Sequence, residues 1–194
     1  MQNADSSKTI VAQAQTYFAI QTRRAEKLLD TPFTEEDEKR LMLRDEMKRH
    51  NSRLASAAKE AGVITNKDYG VFQNAGYKGL YGGLDQEDIH KRKGLKNSQR
   101  ILDHMGSTKL AANLFRATQT EDKLRRDNIH GISAANRTHY EVGQKVRETI
   151  MELGGTMPED LPTPESIKRL ESKQKRLEPK QKQPDNKDDS SGSS

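Results

Sequence analysis

The sequence predicts an all-α protein, and three observations support this. Apolar residues recur at the three-to-four-residue spacing of a helical face, and the strict alternation typical of strands is not found. Several of these stretches begin after a good N-terminal cap. Only 31% of the residues are hydrophobic and 32% are charged, which is too little apolar material for one large core. We therefore expect an N-terminal antiparallel helical hairpin followed by a compact set of shorter helices, with a disordered C-terminal tail.

Residues 1–62 are predicted to form the long helical hairpin. An apolar stripe indicates a first helix over residues 7–29, and the Thr31-Pro32 turn follows it. Thr34 is a good N-cap for the second helix, whose acidic first turn suits the positive end of a helix dipole. This helix should run to Ala61 and end at Gly62. The short turn between the helices makes them antiparallel.

Residues 63–153 are predicted to form a helical domain that contains a block rich in glycine and aromatic residues. The glycines of this block indicate sites where the backbone bends or approaches a partner closely. Asp85 is a predicted N-cap, with Asp88 completing a capping-box-like pair, and Ser107 or Thr108 is expected to cap a long helix after the break at Gly106. The expected helices are 66–72, 86–92, 98–105, 107–126 and 133–153.

The C-terminal part is predicted to be irregular and then helical. Residues 154–178 hold three prolines, so the segment should begin extended, with Pro164 as the first residue of a charged helix that reaches about Glu178. Residues 179–194 are polar, contain proline and no aromatic residue, and are predicted to be disordered.

Composition narrows the class of protein. The net charge of +5 is a modest excess that supports nucleic-acid binding. The chain has no Cys, which fits a reducing cytoplasm, and no apolar run approaches the roughly 20 residues that span a bilayer. The N-terminus lacks the basic and apolar regions of a signal peptide. We expect a cytoplasmic protein without a membrane association.

Catalytic and metal-binding patterns are missing from the sequence. None of the five histidines stands four residues from another, and neither a GxSxG nucleophile elbow nor a phosphate-binding GxxxxGK[ST] loop occurs. The GxxG string at residues 76–79 is too short to indicate a KH-type nucleic-acid clamp. We expect no enzyme activity, no cofactor, no metal site and no small-molecule substrate.

The candidate nucleic-acid or filament-binding residues lie between Lys78 and Arg116. A helix–turn–helix-like hairpin at residues 101–116 offers unpaired backbone N–H groups for phosphate at the start of its second helix. Single-strand binders combine such cations with stacking rings, and the candidates for stacking are Tyr77 and Tyr81. The open alternatives are ordinary helix packing for the hairpin, a solvated surface for the basic run and a core position for the tyrosines. The candidate cations are Lys78, Lys91, Arg92, Lys93, Lys96, Arg100, Lys109 and Arg116.

Long strings in the chain resemble the bacterial DNA-damage-inducible protein D (DinD) family. They are QTYFAIQTRR (15–24), VFQNAGYKGLYGGLD (71–85), ILDHMGSTKLAANLFRATQTEDKLRR (101–126), THYEVGQKVR (138–147) and ELGGTMPEDLPTP (152–164). Members of that family are longer at the N-terminus, where they carry a domain resembling the Bro-N module. The resemblance therefore implies that this chain is the C-terminal region of such a protein.

The resemblance also implies a function. Family membership implies a place in the SOS response to DNA damage, with inhibition of RecA-driven strand exchange on RecA filaments formed on single-stranded DNA, and a nucleoid-associated location. The N-terminal hairpin would then support the fold or a homodimer. The alternative is a protein-interaction or dimerisation module of a phage-type or mobile-element-type regulator whose DNA-binding domain is not part of this chain.

Overall fold

The computed structural model of the protein describes residues 34–181. No strand occurs in this range, so the predicted all-α class is confirmed. The predicted first helix at residues 7–29 lies outside the described residues, as do residues 182–194 of the predicted disordered tail. The prediction is wrong for residues 179–181 of that tail, which belong to the last helix. The helices are α1 (Glu35–Glu60), α2 (Asn66–Leu80), α3 (Gln86–Arg92), a short 3-10 helix (Ile101–His104), α4 (Ser107–Arg126), α5 (Ile132–Glu152) and α6 (Lys168–Gln181).

Two predicted capping residues are confirmed. The Thr34 hydroxyl accepts a hydrogen bond from the Asp37 N–H at 3.1 Å, and the Asp37 carboxylate accepts one from the Thr34 N–H. The Asp85 carboxylate accepts hydrogen bonds from the N–H groups of residues 87 and 88 at 3.0 and 3.1 Å. Gly62, just after α1, has a φ of +100°, a left-handed conformation that glycine adopts without strain. The local signals therefore place these helix ends correctly.

Helix α2 is longer than the sequence predicts. It was expected to end at Phe72, but it continues through the glycine-rich block to Leu80. The glycines lie where α2 crosses α5: a Cβ on Gly79 would collide with the Tyr140 carbonyl oxygen, and one on Gly76 would collide with buried side chains. Here glycine permits the close approach of two helices, and this packing outweighs its low helix propensity.

The remaining differences from the predicted helices are at element ends. The segment expected to be helical over 98–105 forms only the short 3-10 helix. The last helix begins at Lys168, so Pro164 lies outside it. Helix α4 begins at Ser107, and its N-cap is Gly106, which has no side chain to cap it. Helix α5 matches its predicted span to within one residue at each end.

The helices pack as two crossing pairs around one core. α1 runs parallel to α4, since Glu36 contacts Ser107 at one end and Glu60 contacts Arg125 at the other. α2 also runs parallel to α5 and packs closely on it, since Phe72 contacts His139 and, farther along both helices, Leu80 contacts Arg147. α4 also packs on α5, so both pairs share a core cluster that extends from Leu43 to Val146. The predicted boundary at residue 62 therefore lies between elements that contribute to the same core.

A proline-containing segment, residues 156–167, joins α5 to α6, and we call it the strap. Its carbonyl oxygens are bound by side chains from the helices: Arg40 of α1 donates to the Glu165 oxygen at 2.6 Å. The Ile167 N–H donates to the Asp103 carbonyl oxygen at 2.8 Å, and the Ile167 side chain is buried. The strap thereby fixes the 3-10 helix against α1.

Candidate nucleic-acid interface

Three of the predicted cations are exposed but paired with carboxylates. Exposed pairs of this kind contribute little to stability and exchange with other anions. Their partners sit on α3, at its N-cap and on the strap, so each pair is local to this face of the protein. The pairs are Lys78 with Asp85 (3.7 Å), Lys91 with Glu87 (2.8 Å) and Arg92 with Asp160 (2.8 Å).

Lys96 and Arg100 are the predicted cations that carry uncompensated charge. Both are exposed, and neither has a carboxylate oxygen within 4.0 Å among the described residues. They lie on the loop between α3 and the 3-10 helix, four residues apart. This loop is therefore where an incoming anion meets free positive charge.

Lys93 and Lys109 bind the strap. The Lys93 ammonium donates to the carbonyl oxygens of Glu159 and Leu161 at 2.6 and 2.7 Å. The Lys109 ammonium donates to those of Leu161 and Pro162, each at 3.2 Å. Burial, together with the nearby charge of Lys93, lowers the pKa of Lys109 to about 8. Lys109 is only 3% exposed, so its predicted role as a phosphate contact is wrong for this structure.

Arg116 is buried in the core, which also removes it from the predicted interface. It is 1% exposed, donates to Nε2 of His139 and to Oδ1 of Asn113, and lies 5.2 Å from the centre of the Tyr77 ring. Nδ1 of His139 is 2.9 Å from the Phe72 carbonyl oxygen, so it carries the proton and leaves Nε2 free to accept. Burial lowers the pKa of Arg116 and lowers that of His139 well below its usual range.

The predicted stacking residues are core residues. Tyr77 is 8% exposed and Tyr81 is 1% exposed. The Tyr81 hydroxyl accepts a hydrogen bond from Nδ2 of Asn113 at 2.7 Å, and burial raises the pKa of Tyr81. The stacking prediction is therefore wrong, and the alternative that these rings fill the core is confirmed.

The N-terminus of α4 is closed by a carboxylate of the protein itself. Glu36 of α1 accepts a hydrogen bond from the Ser107 N–H at 2.8 Å through one oxygen and from the Ser107 hydroxyl at 2.6 Å through the other. The phosphate site predicted there is thus occupied by Glu36, which satisfies the same unpaired N–H and the same helix dipole.

A polar cleft opens between α1, α3 and the loop that holds Arg100, and we call it the α1–α3 cleft. Its volume is about 630 Å³, and none of its lining residues carries a carboxylate. Of its three basic side chains, Arg44 and Lys48 are paired with carboxylates that do not line the cleft, whereas Arg100 has no such partner among the described residues. Arg100 and the amide groups together suit an anionic ligand that also forms hydrogen bonds. The lining residues are Arg44, Lys48, Asn51, Tyr77, Gln86, His90, Asn97, Ser98, Gln99, Arg100, Ile101 and Leu102.

The walls of the cleft are held by interactions beneath its surface. Nε and Nη2 of Arg44 both donate to one carboxylate oxygen of Asp103, at 3.0 and 2.8 Å, and this pair is buried. The two ring nitrogens of His90 lie 3.0 and 2.7 Å from the carbonyl oxygens of Gln86 and Gln99, which ties α3 to the loop. The backbone around the cleft is therefore fixed before any ligand arrives.

Sequence reasoning identified Arg100 but missed most of the residues beside it. Lys48 and Asn51 come from the middle of α1, far away in the chain. One feature of the sequence could have indicated this part of the site. Asn51 has a low helix propensity but lies inside a long helix, where its side chain does not stabilise the helix. Asn97 and Ser98 form a short polar loop, a composition that indicates a turn but not a site.

Metal-binding clusters and membrane-spanning helices do not occur in the described part of the chain. Residues 34–181 contain no group of three or more His, Asp or Glu side chains arranged to hold a metal ion. None of the helices described here combines the length and apolar character needed to cross a bilayer.

Most of the described helical domain matches the model of one protein family. The model of the DinD C-terminal domain family matches residues 34–170, which covers most of the chain and contains every residue of the cleft. The chain therefore belongs to the DinD C-terminal domain family.

The chain is similar to the DNA damage-inducible protein D of Escherichia coli strain K12. The two are 63% identical over 178 residues, which is 90% of this chain and 65% of the relative. The chain thus spans just under two thirds of that protein's length. No solved structure matches the chain.

Proposed function

We propose that this chain is a non-enzymatic DNA-damage response protein that modulates homologous recombination by inhibiting RecA-mediated strand exchange on RecA filaments formed on single-stranded DNA. The name of the Escherichia coli relative supports the link to DNA damage. The family resemblance supplies the RecA step. One observation carries the DNA contact: the cleft has no carboxylate among its lining residues, and the loop beside it holds two exposed cations without a carboxylate partner among the described residues, Lys96 and Arg100. The proposed location is the cytoplasm, on the nucleoid.

The proposed contact surface is smaller than the sequence indicated. Lys96 and Arg100 contribute free charge, while Lys91 and Arg92 contribute charge once a phosphate displaces Glu87 or Asp160. Lys109 and Arg116 contribute nothing directly because they are buried. The phosphates of a filament's DNA would then meet the loop and α3.

The test is a strand-exchange reaction with RecA, single-stranded DNA and increasing amounts of the protein, at several salt concentrations. We expect inhibition by the unaltered chain. Replacing Lys91, Arg92 and Lys96 with alanine should weaken filament binding and lower its salt dependence by about one unit of slope for each phosphate that is no longer neutralised. The control replaces three other exposed cations, Lys67 of α2 and Arg137 and Lys145 of α5, and removes the same charge elsewhere. If the two triple variants bind the filament equally well and with the same salt dependence, the proposed DNA contact at α3 and the adjacent loop is wrong.

A second candidate is a protein-interaction or homodimerisation module that ignores DNA. Exposed apolar residues at the common end of α2 and α5 favour it: Ile64, Val71 and Ile132 are 76%, 50% and 39% exposed. Under this function, binding to the RecA filament would change little with salt, because apolar contacts are not screened. Analytical ultracentrifugation of the chain, with and without Ile64→Ser, tests for the dimer.

A further inference from the structure

We infer that the α1–α3 cleft binds one unpaired nucleotide of single-stranded DNA, with its phosphate at Arg100 and its base among the amide side chains. The inference rests on the proposed function, because it specifies what that surface recognises. It goes further by assigning a pocket to a single base, where a phosphate track alone would bind only the backbone.

The charges of the cleft place the phosphate. Lys48 is already engaged by Asp45 and Glu171 at 3.0 and 3.3 Å, and Arg44 is engaged by a buried carboxylate. Arg100 has no carboxylate partner among the described residues and lies at the mouth of the cleft on an exposed loop. A phosphate entering the cleft therefore finds its free bidentate donor at Arg100.

The amides of the cleft point to a base. Oδ1 of Asn51 is shielded from solvent and has no hydrogen-bond partner, although an amide oxygen accepts readily. Gln86 and Asn97 line the same space. Amide groups present a donor beside an acceptor, the arrangement found on the edges of nucleobases, and unpaired bases are the ones whose edges are available. When the Asn51 side chain turns its amide oxygen into the cleft, the amino group of adenine or cytosine supplies the donor that this oxygen lacks.

The size and lining of the cleft agree with this ligand. A volume of about 630 Å³ lies within the range of about 300–1,000 Å³ typical of small-ligand sites. A second cavity of about 380 Å³ adjoins it, shares Gln86, His90 and Asn97, and is bordered by Glu87. The acidic border disfavours a second phosphate on that side. The strand should accordingly leave the cleft toward Lys96.

The experiment compares binding of the full chain to two fluorescein-labelled strands of equal length, an oligodeoxyadenylate and an abasic strand, by anisotropy at several salt concentrations. We expect the oligodeoxyadenylate to bind up to about tenfold more tightly than the abasic strand, the effect of one well-formed hydrogen bond to the base. Arg100→Ala should weaken both strands, whereas Asn51→Leu should abolish the preference and leave abasic binding unchanged. Asn97→Ala, on the exposed loop, should reduce the preference without risk to the fold.

The controls separate the possible outcomes. Arg137→Ala removes an exposed arginine of α5 and should change neither affinity. Equal binding of the two strands by the unaltered chain would overturn the inference, because it would show contacts to phosphate only. So would an Arg100→Ala variant that binds like Arg137→Ala. Filament binding is measured separately: its loss with base preference intact would reject the RecA function and leave the cleft assignment standing.

Discussion

Gly143 of α5 lies directly against the backbone of Gly76 on α2. A Cβ at position 143 would come within 2.8 Å of the Gly76 carbonyl oxygen and 2.9 Å of the Leu80 nitrogen, which are backbone atoms and cannot rotate away. The two helices are therefore in direct backbone contact at this crossing. The separation of α2 from α5 is set by the absence of side chains here.

The first prediction concerns this contact. Gly143→Ala should destabilise the protein by about 1–2 kcal/mol, because the cost of overpacking exceeds the gain of up to about 1 kcal/mol in helix propensity. Gly70→Ala is the matched control: it lies in the same helix pair, a Cβ there meets no atom within 4 Å, and it should stabilise by about 0.5–1 kcal/mol. Urea denaturation measures both. If the Gly143→Ala protein is as stable as the Gly70→Ala control, α2 and α5 are not in direct backbone contact at Gly143.

The second prediction concerns acid. His139 is buried and neutral, and its folded pKa lies below its unfolded value, so its contribution to stability is complete above the unfolded pKa of about 6.5 and is lost as pH falls through the folded pKa. The free energy of unfolding should therefore fall below about pH 6.5. Urea unfolding between pH 8 and pH 5 measures it.

The control for that effect is His139→Gln. A glutamine amide can donate to the Phe72 carbonyl oxygen and accept from Arg116, but it does not titrate. We expect this variant to be less stable than the original chain at pH 8 and to have a flatter pH dependence. If both proteins lose stability in parallel on acidification, His139 is not the responsible group.

The third prediction compares a buried and an exposed ion pair. Arg44→Ala removes the buried partner of the Asp103 carboxylate and leaves it only the more distant, exposed Lys168 at 4.0 Å, so it should cost about 3 kcal/mol. Arg169→Ala removes an arginine that is 75% exposed and pairs with Glu165, and it should cost about 0–1 kcal/mol. Thermal denaturation distinguishes them. Similar losses would mean that Arg44 is more hydrated than its contacts indicate.

The fourth prediction concerns the strap. Replacing Lys93 and Lys109 together with methionine removes the ammonium donors from three strap carbonyl oxygens. Hydrogen bonds from charged groups contribute about 1.5–3 kcal/mol, so amide hydrogen exchange at Asp160 and Leu161 should accelerate by at least about tenfold. Lys145→Met, at an exposed site, should leave this exchange unchanged. Unchanged exchange in the double variant would show that the ion pairs of the strap suffice.

The sequence predicts the parts of this fold that depend on neighbours in the chain. The caps at Thr34 and Asp85 and the left-handed end at Gly62 follow from the residue and the three or four beside it. The same local reasoning mispredicts the glycine block. The glycines at 76 and 79 are required by close packing against α5, a helix more than sixty residues later in the chain. A local rule assigns them to a loop, whereas tertiary packing keeps them helical.

The candidate site is harder to predict for the same physical reason. Lys109 and Arg100 are both basic residues near the same turns, yet one is buried against carbonyl oxygens of the strap and the other lines the cleft. Their difference depends on residues 159–162, whose position no spacing in the sequence reveals. The cleft itself is assembled from four separate stretches, so the predicted candidates include only two of its lining residues, Arg100 in an obvious basic run and Tyr77.

The position of the strap in the sequence determines when the cleft can form during synthesis. The ribosome synthesises a protein from its N-terminus, so α1, α3 and the 3-10 helix leave the ribosome well before residues 156–167. Until the strap arrives, the ammonium groups of Lys93 and Lys109 remain in water and the Asp103 carbonyl lacks the Ile167 N–H. A chain that ended after α5 would keep Lys93, Lys96, Arg100 and Lys109 but would lack the strap contacts to Arg40 and Asp103 beside the cleft. The pocket can thus be completed only after residues 156–167 have been synthesised.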